Sequence, residues 1–176
     1  MSAPEFSRPR RLDTIGAGES SVDIAAEPAE RAALAARFGL VAIDALAARF
    51  TLHRDATGIV ARGELKAQVV QACSVTGDPL PATLDEPFRI RFLPEPDDAA
   101  DDVELDADDC DTVFYTGGAI DLGEAAAETL LLSLDPFPRG PNAAAKLKEA
   151  GVLSEDEAGP FGALAGLKDK LGGAKS

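Results

Sequence analysis

Hydrophobic and polar residues alternate along three stretches of the chain that lie close together in sequence. The alternation covers residues 46–52, 59–69 and 88–92. Turn-forming residues separate these stretches, at Asp55 to Gly58 and at Thr76 to Pro79. Because successive side chains of a strand point to opposite faces, a period of two predicts strands with one buried and one solvated face. The pattern therefore predicts an antiparallel meander.

A period near 3.6 predicts helices on either side of this meander, near residues 28–38 and 121–134. Pro28 suits the first turn of a helix. Asp121 can cap the second helix, and Glu124 stands where a capping box needs it. Short additional elements are expected at residues 6–12, 20–25, 113–115 and 143–150. Together these elements predict an α+β fold built on an antiparallel curved sheet, or on a partly closed barrel, with two or three helices.

The domain organisation follows from where these patterns end. Residues 1–140 are predicted to form a single α+β domain with an acidic loop at residues 95–111. Residues 141–176 are predicted to be a flexible C-terminal segment with a short amphipathic helix. An apolar stripe on that helix could dock into a partner's groove, or could pack on the domain's own core. The stripe consists of Phe161, Leu164 and Leu167.

The acidic charge of the chain is concentrated in one stretch. The formal net charge is −14, and residues 95–135 contain 14 Asp and Glu with no Lys or Arg. Ten of these carboxylates lie within residues 95–111, where self-repulsion and few apolar groups favour a disordered loop. The loop lacks the glycine bend of a calcium-binding loop, so only weak, non-specific binding of divalent cations is expected there.

The solvated face of the meander carries a basic set of residues. The bland interpretation is that Lys and Arg solvate the face and protect the sheet edges. The alternative is a platform for phosphate groups, although no exposed aromatic residue on these strands would stack bases. The candidate RNA-binding or partner-binding residues are Arg49, Arg62, Lys66, Arg89 and Arg91.

Catalytic motifs are not found in the sequence. The lone histidine, His53, falls on the solvated face, and no phosphate-binding glycine loop, dinucleotide fingerprint or nucleophile elbow is present. Cys73 is expected to be a small buried thiol on the core face of its strand. We therefore expect a protein that is not an enzyme and that has no cofactor, metal or small-molecule substrate. Neither a membrane span nor a signal peptide is evident, and a cytoplasmic location is expected.

The order of several short motifs resembles the YceD family. The first motif is QACSVTGDPL at residues 71–80, followed by FRIRF at residues 88–92. After the acidic stretch come IDLGE at residues 120–124, ETLLLSL at residues 128–134 and PFPR at residues 136–139. The apolar tail around Phe161, Leu164 and Leu167 is similar to the C-terminal end of the family. The family-motif positions are Cys73, Thr76, Pro79, Glu128, Pro136, Pro138 and Arg139.

The resemblance implies a bacterial cytoplasmic protein that supports the accumulation of large-subunit ribosomal RNA. Its expected partners are ribosomal RNA or large-subunit assembly proteins, with no role at a membrane. The alternative is an adaptor that binds a basic ribosomal or assembly protein without contacting RNA. Many relatives carry a Cys-x-x-Cys pair at the first motif, whereas Val70 and Ala72 stand here where a first cysteine and an arginine are expected. A metal or redox role therefore does not carry over.

Overall fold

The fold was analysed in a computed structural model, which describes residues 4–95 and 111–152. Seven strands, three α-helices and one 3-10 turn follow one another along the chain. The strands are β1 (Pro9–Arg11), β2 (Ser20–Ala25), β3 (Ala42–Arg54), β4 (Ile59–Ala72), β5 (Pro79–Pro94), β6 (Thr112–Tyr115) and β7 (Ala119–Asp121). The helices are α1 (Pro28–Phe38), α2 (Leu122–Ser133) and α3 (Ala143–Glu149), and the 3-10 turn is Leu12–Thr14. This arrangement confirms the predicted α+β fold.

The main sheet has five strands in the order β2-β3-β4-β5-β6, and it is curved and open, not closed into a barrel. Strands β2 and β3 are antiparallel, with Asp23 opposite Arg49. Strands β3 and β4 are also antiparallel, with Arg49 opposite Glu64. Residues opposite one another in a ladder share a face. The predicted three-strand meander thus forms, with strands longer than the alternating stretches that revealed them.

Three contacts fix the offset between β4 and β5. The backbone N–H of Cys73 donates to the carbonyl of Asp78 at the hairpin (2.8 Å). Lys66 pairs with Asp85 (3.3 Å). A side chain at Gly63 would meet the ring of Phe88. All three fit one antiparallel register, from which we infer that Arg62 lies across from Arg89.

Strand β6 joins the sheet in parallel with β5, so the sheet is mixed. Its register pairs Arg91 with Thr112 and Leu93 with Phe114. The short apolar run at residues 113–115 predicted this element but not its direction. A second, two-stranded sheet of β1 and β7 was not predicted. Each of these short strands has only three residues, too few for a periodic signal.

The core lies between the inner face of the main sheet and helices α1 and α2. Leu34 of α1 and Leu130 of α2 are fully buried there, together with Phe50 of β3. Gly63 allows this packing, because a methyl group at that position would lie 1.7 Å from the carbonyl oxygen of Arg49. The missing side chain lets the ring of Phe88 approach Phe50, with ring centroids 4.8 Å apart.

Two acidic residues at the start of α2 make different contacts. Asp121 caps α2 as predicted, accepting hydrogen bonds from the backbone N–H groups of Gly123 (2.9 Å) and Glu124 (3.2 Å). The prediction that Glu124 completes a capping box is wrong. Its carboxylate instead accepts two hydrogen bonds from Arg37 of α1 (2.6 and 3.0 Å). Arg37, three turns along α1, competes with the N-terminus of α2 for the Glu124 carboxylate. The local capping motif does not indicate this distant contact.

The chain divides into two compact units. The first comprises residues 1–71 and 79–136, and the second comprises residues 72–78 and 137–176. The second unit thus joins the β4–β5 hairpin tip to the segment after α2, and α3 lies within it. The predicted boundary after residue 140 stays a prediction. The predicted acidic loop, apart from its first and last residues, and the predicted stripe of Phe161, Leu164 and Leu167 lie outside the described residues.

Candidate nucleic-acid interface

Helices α1 and α2 pack on the inner face of the sheet. The opposite face, which we call the outer face, is therefore the candidate binding surface. Alternation along the strands puts the five predicted basic residues on this outer face. Four of them pair with carboxylates of the same unit. The structure therefore divides the predicted basic set by the partners that each residue has.

In one part of the outer face each cation has a carboxylate partner, and we call this part the paired half. It consists of Asp23, Arg49, Glu64, Lys66 and Asp85. Arg49 donates to Asp23 (2.6 Å) and stands opposite Glu64, while Lys66 pairs with Asp85. Between these side chains lies an open depression of about 470 Å³ whose lining includes the small residues Ala25 and Ala47. Each cation here already has an anion within reach.

The remaining part of the outer face differs, and we call it the aromatic half. It consists of Arg62, Arg89, Leu93 and Phe114. Arg62 forms an ion pair with Glu19, and Arg89 has no carboxylate partner among the described residues. In the inferred register the two arginines face each other across β4 and β5. Like charges directly opposite in a sheet are unfavourable unless an anion lies between them.

Phe114 reaches the outer face because β6 pairs in parallel with β5. Its register partner is Leu93, and Phe92 beside Leu93 is buried in the core. Register partners share a face, so Phe114 and Leu93 both point outward. Phe114 is 49% exposed. The expectation that no exposed aromatic residue would stack bases concerned only the three strands of the meander, and Phe114 adds such a residue from β6.

Arg91, the fifth predicted basic residue, binds a turn of the sheet. Its guanidinium contacts Asp55 (3.2 Å) and the hydroxyl of Thr57 in the β3–β4 turn, and its side chain is only 19% exposed. To reach that turn from β5, the side chain must cross β4. Val60 of β4 stands opposite His53, and it is buried although it is not part of the inner core. This burial is expected if the aliphatic part of the Arg91 side chain covers Val60.

The Asp55 carboxylate is the acceptor that organises this turn. It accepts hydrogen bonds from the hydroxyl and the backbone N–H of Thr57 and from the N–H of Gly58 (2.7 to 2.9 Å). These bonds, with the charge of Arg91, lower the pKa of Asp55 to about 2. Arg91 is thus held in place by a stable anion at neutral pH.

His53 lies on the outer face beside this turn, half-buried, and its buried Nδ1 has no hydrogen-bond partner among the described residues. Its cross-strand neighbour is Val60. An apolar neighbour offers neither a proton acceptor nor a metal-ligating group. Within residues 4–95 and 111–152, no three His, Cys, Asp or Glu side chains converge as a metal site would require.

The family-motif positions around Cys73 come together in the second unit. Cys73 is buried, but it lies in the turn after β4 and not on the core face of the strand as predicted. Its sulfur accepts a hydrogen bond from the N–H of Gly140 (3.3 Å). The carbonyl of Pro138 accepts hydrogen bonds from the N–H and hydroxyl of Ser74 (2.8 and 3.0 Å). The PFPR motif thus anchors the first motif.

These contacts change the acidity of the thiol. Hydrogen bonds from the Gly140 N–H, the Thr76 hydroxyl and N–H, and the Val75 N–H lower the pKa of Cys73 to about 6, because they stabilise the thiolate. Thr76 also bonds Asp78 (2.8 Å). Arg139, between Pro138 and Gly140, is exposed. One feature of the sequence indicates this cluster: the segments at residues 71–80 and 136–139 belong to the same family pattern.

The other motif positions lie in the first unit. Glu128 of α2 lines a cavity of about 210 Å³ together with Asp111 and Thr129. Partial desolvation, with the nearby charge of Glu124, raises the pKa of Glu128. Pro79 begins β5, and Pro136 follows the end of α2. The structure does not bring these three residues together with the basic set.

Comparison with protein families gives one match. The sequence model of the family described as "Large ribosomal RNA subunit accumulation protein YceD" matches residues 61–168, which is more than half of the chain. The chain belongs to the YceD family. The match includes Arg62, Arg89 and Phe114 of the outer face as well as the Cys73 cluster. No curated protein and no solved structure matches the chain. Among the described residues, no helix is long and apolar enough to span a bilayer.

Proposed function

We propose that this YceD-family protein is a non-catalytic factor that supports the accumulation or processing of large-subunit ribosomal RNA and ribosome assembly. Its place of action would be the cytoplasm, where it would need no cofactor or small-molecule substrate. The family's description speaks of accumulation of this RNA and names no reaction. The outer face of the sheet would be the surface that contacts the RNA, directly or through a bound assembly protein.

One observation carries the proposal of direct contact. Arg62 and Arg89 face each other across two strands, and Arg89 has no carboxylate partner among the described residues. A phosphate group placed between two guanidinium groups would relieve their repulsion and accept charge-assisted hydrogen bonds. Of the five predicted basic residues, Arg89 is therefore the strongest candidate, and Arg62 stands across from it. Arg49, Arg62, Lys66 and Arg91 would contribute only after giving up the carboxylates that they already bind.

The adaptor alternative is favoured by a different observation. The paired half carries two cations and three anions, and it contains a depression lined in part by alanine. In the same unit, Leu131 and Leu132 at the end of α2 are exposed. A surface of mixed charge with exposed leucines suits a protein partner better than a polyanion. The partner would be a basic ribosomal or assembly protein.

The test is depletion of the protein from its host cell, followed by measurement of large-subunit relative to small-subunit ribosomal RNA. We expect the ratio to fall and the wild-type protein to restore it. The double variant Arg62→Ala/Arg89→Ala should fail to restore the ratio. The control variant Arg11→Ala/Lys146→Ala removes two exposed, ion-paired cations outside the outer face and should restore it. An unchanged ratio on depletion would refute the proposed function.

Ribonuclease separates the two modes of action. If large-subunit RNA holds the complex together, partners captured on the purified protein will be lost after ribonuclease treatment. If the protein is an adaptor, a basic ribosomal or assembly protein will remain bound after the treatment. Full rescue by Arg62→Ala/Arg89→Ala would also overturn direct contact through these two arginines.

A further inference from the structure

The register between β5 and β6 places an exposed aromatic ring on the same face as Arg89, which has no carboxylate partner among the described residues. Phe114 stands beside Leu93, and Leu93 in turn leans on Gly58, where a methyl group would lie 2.8 Å from the leucine side chain. Leu93 is thereby held against the backbone, and Phe114 lies on the outermost strand of the sheet. The ring has one apolar neighbour in register and is 49% exposed.

Arg89 stands four residues before Leu93 on β5, on the same face. At roughly 3.3 Å per residue along a strand and about 4.8 Å between strands, Phe114 and Arg89 have Cα atoms about 14 Å apart. Arg62 lies next to Arg89 in the inferred register. The aromatic half therefore has an apolar end at β6 and a cationic end at β4 and β5, joined by the surface of β5.

The charges at the two ends differ in sign. The N–H of Arg91 bonds the carbonyl of Asp111, and the N–H of Glu95 bonds the carbonyl of Tyr115, so two carboxyl residues flank β6. Phosphate groups are disfavoured near these residues and favoured at Arg62 and Arg89. A ligand that crosses this surface should present a neutral, flat group at Phe114 and an anionic group at the arginines.

We propose that the aromatic half binds a single-stranded stretch of RNA, with a base stacked on Phe114 and backbone phosphates at Arg89 and Arg62. Unpaired nucleotides offer a flat face and a phosphate in every repeat, whereas a duplex keeps its bases stacked inside. Stacking on an aromatic side chain tolerates any base, so little sequence preference is expected. This inference rests on the proposed function, and it names the form of RNA that the outer face recognises.

The test uses the full-length protein and two fluorescein-labelled probes, a ten-nucleotide oligouridine and a ten-base-pair RNA duplex. Fluorescence anisotropy gives the dissociation constant at several salt concentrations. We expect tighter binding of the single strand. Phe114→Ala should weaken it about five- to a hundred-fold, because a base loses its stacking partner. Phe114→Trp should retain the affinity. Leu132→Ala, which also removes an exposed apolar side chain, is the matched control.

Salt dependence separates stacking from charge. Loss of one phosphate contact in Arg89→Ala should reduce the slope of log K against log salt by about 0.7. Phe114→Ala should leave that slope unchanged although the affinity falls. Thermal unfolding of each variant checks that the fold is intact. The affinity of Phe114→Trp for the single strand is a second measurement, and this variant keeps a large side chain at position 114.

Three outcomes would overturn the inference while leaving the proposed function open. The first is equal affinity for the single strand and the duplex. The second is unchanged affinity in both Phe114→Ala and Phe114→Trp. The third is no binding of either probe by wild-type protein whose depletion still lowers large-subunit RNA, which would favour a protein partner on this face. Failure of the depletion experiment itself would refute the proposed function instead.

Discussion

The paired half and the aromatic half of the outer face share strands β4 and β5, and both contain arginine. They differ in what stands across the strand from each cation. Arg49 and Lys66 meet Asp23 and Asp85, whereas Arg89 meets another arginine in the inferred register. A basic residue on a sheet therefore indicates an anion-binding surface only where its cross-strand neighbours leave it uncompensated.

The first test compares Arg49 of the paired half with Arg91, which belongs to neither half and binds the β3–β4 turn. Arg91→Ala should lower the free energy of unfolding by about 2 kcal/mol, because it breaks charge-assisted bonds in a half-buried site and uncovers Val60. Arg49→Ala should change it by no more than about 0.5 kcal/mol, because its ion pair is in solvent. Urea unfolding measures both. Equal losses would contradict the distinction between them.

The second test concerns the anion that holds Arg91. The pKa of Asp55 is lowered to about 2 in the folded protein, against about 3.9 in an unfolded chain. A carboxyl whose folded pKa is lower stabilises the fold above the unfolded value, and the contribution is lost as the pH falls through about 2. With its side chain 35% exposed, we expect about 1 kcal/mol after allowance for solvent screening.

Asp55→Asn should therefore be less stable than wild type at pH 7 by about that amount, and the gap should narrow as the pH falls from 5 toward 2. Chemical denaturation at each pH measures the gap. The control is Asp13→Asn, which alters an exposed carboxylate paired with Arg11 and should change the free energy of unfolding at pH 7 by no more than about 0.5 kcal/mol. A gap that stays constant with pH would show that Asp55 acts through something other than its charge.

The smallest effect is expected from making the paired half resemble the aromatic half. Asp23→Asn/Asp85→Asn leaves Arg49 and Lys66 without their ion-pair partners. Affinity for the ten-nucleotide oligouridine should rise by about two- to five-fold at low salt, and the salt slope should steepen by at most about 1.4 for two new phosphate contacts. Glu64 beside Arg49 limits the gain. If affinity and slope match those of Asp13→Asn, the paired half does not reach the RNA.

Local patterns predicted those parts of the fold that local interactions decide. Alternation revealed the meander, and Pro28 marked the first turn of α1. The Asp121 cap was also predictable, because a cap depends on residues two and three positions along the chain. These elements need no knowledge of distant partners.

The candidate site could be predicted only in part, because its character depends on contacts between distant residues. The pattern placed the basic residues on one face, but Glu19, Asp23 and Asp85 come from other strands and turns. Phe114 belongs to a strand whose direction the sequence does not state. The bond between Cys73 and Gly140 joins positions 67 residues apart. Alternation gives the face on which a residue lies, but it does not give that residue's neighbours.

The parallel ladder between β5 and β6 also has a consequence for the order of folding. Strands β3, β4 and β5 are joined by short turns, so their pairing closes small loops and costs little chain entropy. Strand β6 must return alongside β5 after a long connection, and such non-local pairing forms slowly. During synthesis from the N-terminus, the paired half can therefore assemble before Phe114 is in place. The aromatic half is complete only when the first unit has finished folding.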